Sequence, residues 1–77
     1  MLSTGVTVTG ATTTGTLRVT STTDASNAST GHGFQVGATS GANVIIDNNE
    51  ILSRDNGSAS SLFVQAEGGT TEFGGNV

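Results

Sequence analysis

The 77-residue chain has no cysteine, proline, tryptophan or tyrosine, only two cationic residues and only one histidine. Without cysteine there is neither a disulfide framework nor a thiolate zinc site. Arg18 and Arg54 are the whole cationic complement, and the net charge is −4. No basic patch can therefore neutralise phosphates, which argues against nucleic acid as a partner. Anionic membrane surfaces are disfavoured on the same ground. No apolar run approaches the ~20 residues that span a bilayer, so no membrane insertion is expected. Residues 2–10 show neither the charged n-region nor the apolar h-region of a signal peptide.

What is present is mostly small and polar: Thr, Ser, Gly and Asn make up 41 of the 77 residues. Val, Ile, Leu and Phe number 17, or 22%, just above the roughly 20% below which chains stay disordered. Charged residues are also scarce, so this is not the highly charged kind of disorder. A scaffold with this little apolar mass needs staples, metal or partner chains. Staples are absent and metal ligands are thin, which leaves oligomerisation.

The apolar residues fall in a β pattern. Val6 and Val8 alternate with threonines, as do Leu17 and Val19 with Arg18 and Thr20; Phe34 and Val36 lie between Gly33 and Gly37. Period-two alternation is the mark of a half-buried strand. The richest stretch is residues 43–69, which holds Val44, Ile45, Ile46, Ile51, Leu52, Leu62, Phe63 and Val64. Its apolar clusters are parted by Asp47-Asn48-Asn49-Glu50 and Asp55-Asn56-Gly57, residues that form turns because they accept positive φ or bond their own backbone. Three short strands on two tight turns are expected, the third at Leu62 to Val64. Intervals of 11 residues separate Val6 from Leu17, Ile51 from Leu62 and Leu62 from Phe73, as in a stacked β-repeat, although the gap of 17 from Leu17 to Phe34 interrupts it. The expected organisation is one segment over 1–77: strands at 1–20, a polar loop at 21–33 and a β-rich body at 34–77. Gly75-Asn76-Val77 resembles Gly41-Ala42-Asn43-Val44, as if another unit followed in a longer protein.

Few residues invite chemistry. His32 is the only imidazole, set in Gly31-His32-Gly33, and no Gly-x-Ser-x-Gly elbow occurs, so nucleophilic catalysis is not expected. The acids Asp24, Asp47, Glu50, Asp55, Glu67 and Glu72 lack the apolar wall and aromatic platform that paired-carboxylate sugar hydrolysis uses. Asp47 to Glu50 misses the EF-hand spacing and reads as a turn. Asn27-Ala28-Ser29 and Asn56-Gly57-Ser58 match the glycosylation triplet, a pattern that chance supplies in so Ser-rich a chain. Arg54, beside Asp55 and near Glu50, reads as a local ion pair that fixes the turn, within the chain or between chains, in preference to a ligand-gripping arginine. No catalytic residue and no cofactor is expected. The one metal candidate is His32, since three copies on a three-fold axis would bring three imidazoles together.

The residues Ile46-Asp47-Asn48-Asn49-Glu50-Ile51-Leu52-Ser53-Arg54-Asp55-Asn56-Gly57, with Ser61-Leu62-Phe63-Val64 and Glu67-Gly68-Gly69, resemble tail-fibre and tail-spike proteins of tailed bacteriophages. Gly5-Val6-Thr7-Val8-Thr9-Gly10-Ala11-Thr12 and Gly15-Thr16-Leu17-Arg18-Val19-Thr20 are similar to their Thr/Gly/Val-rich shafts. The resemblance implies an all-β, intertwined homotrimeric fibre of short strands, like a triple-stranded β-helix or β-prism, in the phage tail of the virion. Its partners would be its own copies, other tail proteins and a bacterial surface receptor or glycan. Val6, Val8, Leu17, Val19, Phe34, Val36, Val44, Ile46, Ile51, Leu62, Val64 and Phe73 would face the shared interior. The polar loops carrying Thr39, Ser40, Asp55 and Asn56 would meet the receptor. Some phage spikes bind a tip metal through an His-x-His pair from each chain, whereas Gly31-His32-Gly33 supplies one histidine. The alternatives are a fragment of a polysaccharide-degrading tailspike and a bacterial adhesin stalk.

Overall fold

A computed structural model of the protein describes residues 10, 13 and 15–75; Val6 and Val8 lie outside them. Four strands occur in chain order: β1 Gln35–Val36, β2 Ala42–Ile46, β3 Ile51–Asp55 and β4 Ser58–Ala59. They form one open antiparallel sheet in the order β1-β2-β3-β4, and no helix occurs among the described residues. The expected all-β class is therefore observed. The Cα radius of gyration is 15.0 Å, against about 11.5 Å for a compact domain of this length.

Each turn follows from its residues. Asn56 (φ 47°) and Gly57 (φ 80°) are both left-handed, as the two-residue hairpin between β3 and β4 requires. Between β2 and β3, Asp47 N–H donates to Glu50 O at 3.1 Å, and Asp47 Oδ1 accepts from the Asn49 and Glu50 amides at 2.9 and 2.8 Å. Between β1 and β2 the chain turns at Gly37 (φ 101°), where an added Cβ would collide with Ala42 O. Only glycine fits that crossing.

The central pairing runs from Ala42↔Asp55 to Ile46↔Ile51, and β1 joins through Gln35↔Ile45 and Val36↔Val44. Strand alternation then divides the side chains between two faces. Gln35, Asn43, Ile45, Leu52 and Arg54 share one face. Val36, Val44, Ile46 and Ile51 share the other, with Phe34 opposite Ile46, whose N–H donates to Phe34 O at 3.3 Å.

The sequence reading is wrong about the third strand. β4 is Ser58–Ala59, paired to Arg54 and Asp55, and Leu62 to Val64 lie beyond it in no strand. The tight Asn56-Gly57 hairpin forces pairing to begin at Ser58, so the small residues 58–59 take the places nearest the turn. Leu17, Val19 and Phe73 are likewise outside any strand and exposed.

Candidate functional site

The sealed part of the protein is built around a cation. Arg54 is 1% exposed and Ile45 fully buried, with Asn43 and Ala25 the other buried residues. Arg54 Nε donates to Asn43 Oδ1 at 2.8 Å. Its Nη1 donates to Ser26 O at 2.8 Å, to Ser29 O at 2.7 Å and, more weakly, to Asn27 O at 3.4 Å. Asn43 Nδ2 in turn donates to Ala38 O at 3.1 Å and Gly41 O at 3.0 Å. Gly41 O also accepts from Asn56 N–H at 3.0 Å. One buried pair thus ties down three segments of chain that would otherwise be polar loops. Arg54 Nη2 is buried with no partner.

This corrects the reading of Arg54 as an ion pair with Asp55. The two are consecutive in β3, so they point to opposite faces. Glu50 sits in the β2–β3 turn, four residues away or about 13 Å along an extended strand. The guanidinium is held by carbonyl and amide oxygens instead. Part of the polar loop over 21–33 is correspondingly a cover: Ser26, Asn27 and Ser29 hold Arg54, and Ala25 N–H donates to Asp47 Oδ2 at 2.8 Å.

The pinned turns meet at one end of the sheet. Asn27, Ala28, Thr39, Ser40, Asn56 and Gly57 line an open depression of about 450 Å³. Three of the expected receptor-loop residues, Thr39, Ser40 and Asn56, converge there. Asp55 is exposed at the end of β3 and is not part of the lining. Asn27 and Ala28 were not expected there: in sequence they are part of a polar loop and of a glycosylation triplet that chance supplies. Their place follows from Arg54, whose three carbonyl partners lie between residues 26 and 29. The lining includes the first residue of both glycosylation triplets.

At the opposite end, carboxylate oxygens of Asp24, Asp47 and Glu50 lie within 4.8 Å of one another. Asp47 is held below the usual aspartate range, chiefly by the backbone bonds from Asn49 and Ala25. Glu50 is pushed up, first by its hydrogen bond with Asp47, then by desolvation and the Asp47 charge. Both Asp47 oxygens are already engaged by backbone N–H groups, so this cluster locks the turn. His32 is elsewhere. Its Nε2 lies 2.7 Å from Ser29 Oγ and its Nδ1 is buried without a partner. The Ser29 hydroxyl also donates to Ser26 O at 3.1 Å and accepts from Ser26 N–H at 2.8 Å. Its single hydrogen cannot serve both Ser26 O and the imidazole, and no carboxylate orients the ring, so the pair closes a turn and lacks the triad's third member.

Of the twelve expected interior residues, Phe34, Val36, Val44, Ile46 and Ile51 share the face opposite Arg54. Val36 is 61% and Ile51 57% exposed in the single chain. Leu17, Val19, Leu62, Val64 and Phe73 are exposed outside the sheet, and Val6 and Val8 lie outside the described residues. No protein-family model, curated protein or solved structure matches the chain.

Proposed function

We propose that this chain is a segment of a bacteriophage tail fibre or spike, a homotrimeric structural module that contributes to host attachment and is not itself an enzyme. The observation that carries the proposal is the uncovered sheet face. Phe34, Val36, Ile46 and Ile51 are exposed on one side of a sheet whose other side is sealed by residues of the same chain. Together with Val44 they present on the order of 400 Å² of apolar-residue surface, at the upper end of what monomers tolerate. That is about half the ~800 Å² per partner of a standard interface. Copies of the chain supply the remainder through Leu17, Leu62, Val64 and Phe73, each exposed and without a strand of its own. Apart from Asp55 at its end, the face is uncharged and mostly aliphatic, so it is suited to its own kind. In the fibre the three-turn depression faces outward and meets the host.

Solution mass tests the assembly. Light scattering is expected to give about three times the chain mass of 7.6 kDa, with β circular dichroism that fades on dilution. A folded, dilution-resistant species of one chain mass would overturn the proposal.

One observation favours polysaccharide cleavage as a second reading: Asp47 and Glu50 are close and their pKa values are pushed apart, as in acid–base pairs. Release of reducing ends from host glycan, abolished by Glu50→Gln, would establish it. Absence of release from every host glycan tried would remove it.

A further inference from the structure

We infer that the depression lined by Asn27, Ala28, Thr39, Ser40, Asn56 and Gly57 is a binding site for an uncharged, hydroxyl-rich ligand, a sugar unit of a neutral glycan. This deepens the attachment role proposed above and gives that role a ligand class.

The lining decides the chemistry. It contains no charged and no aromatic residue. Asn27 and Asn56 bring amides that both donate and accept, and Thr39 and Ser40 bring hydroxyls that do the same. Adjacent groups that both donate and accept match the vicinal hydroxyls of a sugar ring, while the Ala28 and Thr39 methyls give its C–H face something apolar. The volume of about 450 Å³ lies within the range of small-molecule sites, roughly 300–1,000 Å³.

Arg54 offers an anion nothing here. Arg54 is the side chain beneath these turns, yet its Nε is spent on Asn43 and its Nη1 on the carbonyls of Ser26, Asn27 and Ser29. Its Nη2 is shut off from solvent. A phosphate or carboxylate would meet no charged side chain in the lining, and Asp55 stands exposed one residue from Asn56.

The same bonds make the site a built one. Segment 26–29 hangs from Arg54, Ala38 and Gly41 hang from Asn43, and Asn56 N–H is fixed to Gly41 O. All three turns are ordered before a ligand arrives, which removes part of the entropic cost of binding. Without aromatic stacking the affinity of a single site is weak, with a dissociation constant on the order of 1 mM. Several sites on one assembly would raise it through avidity.

The test is a ¹⁵N amide-shift titration of the intact protein with a panel of neutral oligosaccharides, including maltotriose and chitotriose, and separately with inorganic phosphate and sialyllactose. Saturable shifts confined to the amides around residues 27–28, 39–40 and 56–57 are expected with at least one neutral sugar, and none with phosphate. Asn27→Ala and Ser40→Ala, both on exposed positions, are expected to keep the spectrum dispersed and to weaken binding several-fold. The inference is overturned if no neutral sugar in the panel shifts these amides, if phosphate or sialyllactose shifts them as strongly, or if both variants bind like the parent. Mass measured on the same samples separates the two proposals. A trimer that binds no sugar sinks only this one, and a monomer that binds sugar sinks only the fibre.

Discussion

On one face of the sheet Arg54, Asn43 and Ile45 are buried, with Arg54 bonded to residues 26–29; on the other, Val36, Ile46 and Ile51 stand in solvent. The sealed face is the more polar of the two. A buried guanidinium without a countercharge is costly unless oxygens surround it, and here carbonyls from three residues and an amide do so. The open face gathers Phe34, Val36, Val44, Ile46 and Ile51, most of them exposed among the described residues. A chain short of apolar residues has thus closed itself with hydrogen bonds and left its aliphatic side chains available. Cohesion within the chain falls to one face, and in the proposed fibre adhesion between chains would fall to the other.

The sharpest way to break this comparison is to remove the hub. Arg54→Ala strands Asn43 Oδ1 and the carbonyls of Ser26 and Ser29 without a donor. Hydrogen bonds to charged groups contribute about 1.5–3 kcal/mol each, so the loss should reach several kcal/mol, a large part of any small domain's stability. Amide-shift dispersion should collapse for residues 24–59. Arg54→Lys, which offers one nitrogen where two are used, should fall between. Full retention of the dispersed spectrum in Arg54→Ala would mean that the sealed face is held by something else.

Matched truncations on the two faces come next in size. Ile45→Ala opens a cavity in the sealed face and should cost about 2–5 kcal/mol. Ile51→Ala is exposed in one chain and should cost under about 0.5 kcal/mol there. If copies cover the open face, the Ile51→Ala cost rises toward that of Ile45→Ala and depends on protein concentration. Denaturation midpoints of both variants at several concentrations distinguish the cases. Equal, small and concentration-independent losses at Ile51 would leave that face without a partner.

How much of this was legible in the sequence differs between the faces. Alternation was enough to group Phe34, Val36, Val44, Ile46 and Ile51, because period two survives whatever covers a strand. Ile45 and Leu52 were left out of the interior set, although the unbroken run Val44-Ile45-Ile46 has apolar residues pointing both ways. Arg54 was paired with its sequence neighbour because charge invites a charged partner. Its real partners are carbonyls 25–28 positions upstream, and backbone groups carry no sequence signal. The depression was half visible: turn chemistry marked residues 39–40 and 56–57, while Asn27 and Ala28 joined only through that long-range bond. The strand expected at Leu62 failed because apolar pattern cannot say whether a pairing edge lies within reach.

The turn at the far end of the sheet offers the smallest effect and the clearest sign. Asp47 accepts N–H bonds from Ala25, Asn49 and Glu50, so it ties the cover to the β2–β3 turn. Its folded pKa is lowered, chiefly by Asn49 and Ala25, so the stability it contributes is complete above its unfolded value and is lost as pH falls through the lower folded one. Glu50 is raised, chiefly by Asp47, so its ionisation works against the fold, and that cost appears as pH climbs from the ordinary glutamate range through the raised value. Acidifying from neutrality should therefore first relieve Glu50 and then, below about pH 4, release Asp47. Protection of the Ala25, Asn49 and Glu50 amides should pass through a shallow maximum between these limits. Glu50→Gln should remove the rise on its alkaline side, and Asp47→Asn the fall on its acid side. If the far side of the sheet is sealed by other copies, this profile should be unchanged by protein concentration, because the carboxylates belong to the half of the molecule that closes by itself. A profile that moved with concentration would show that the two faces are not independent.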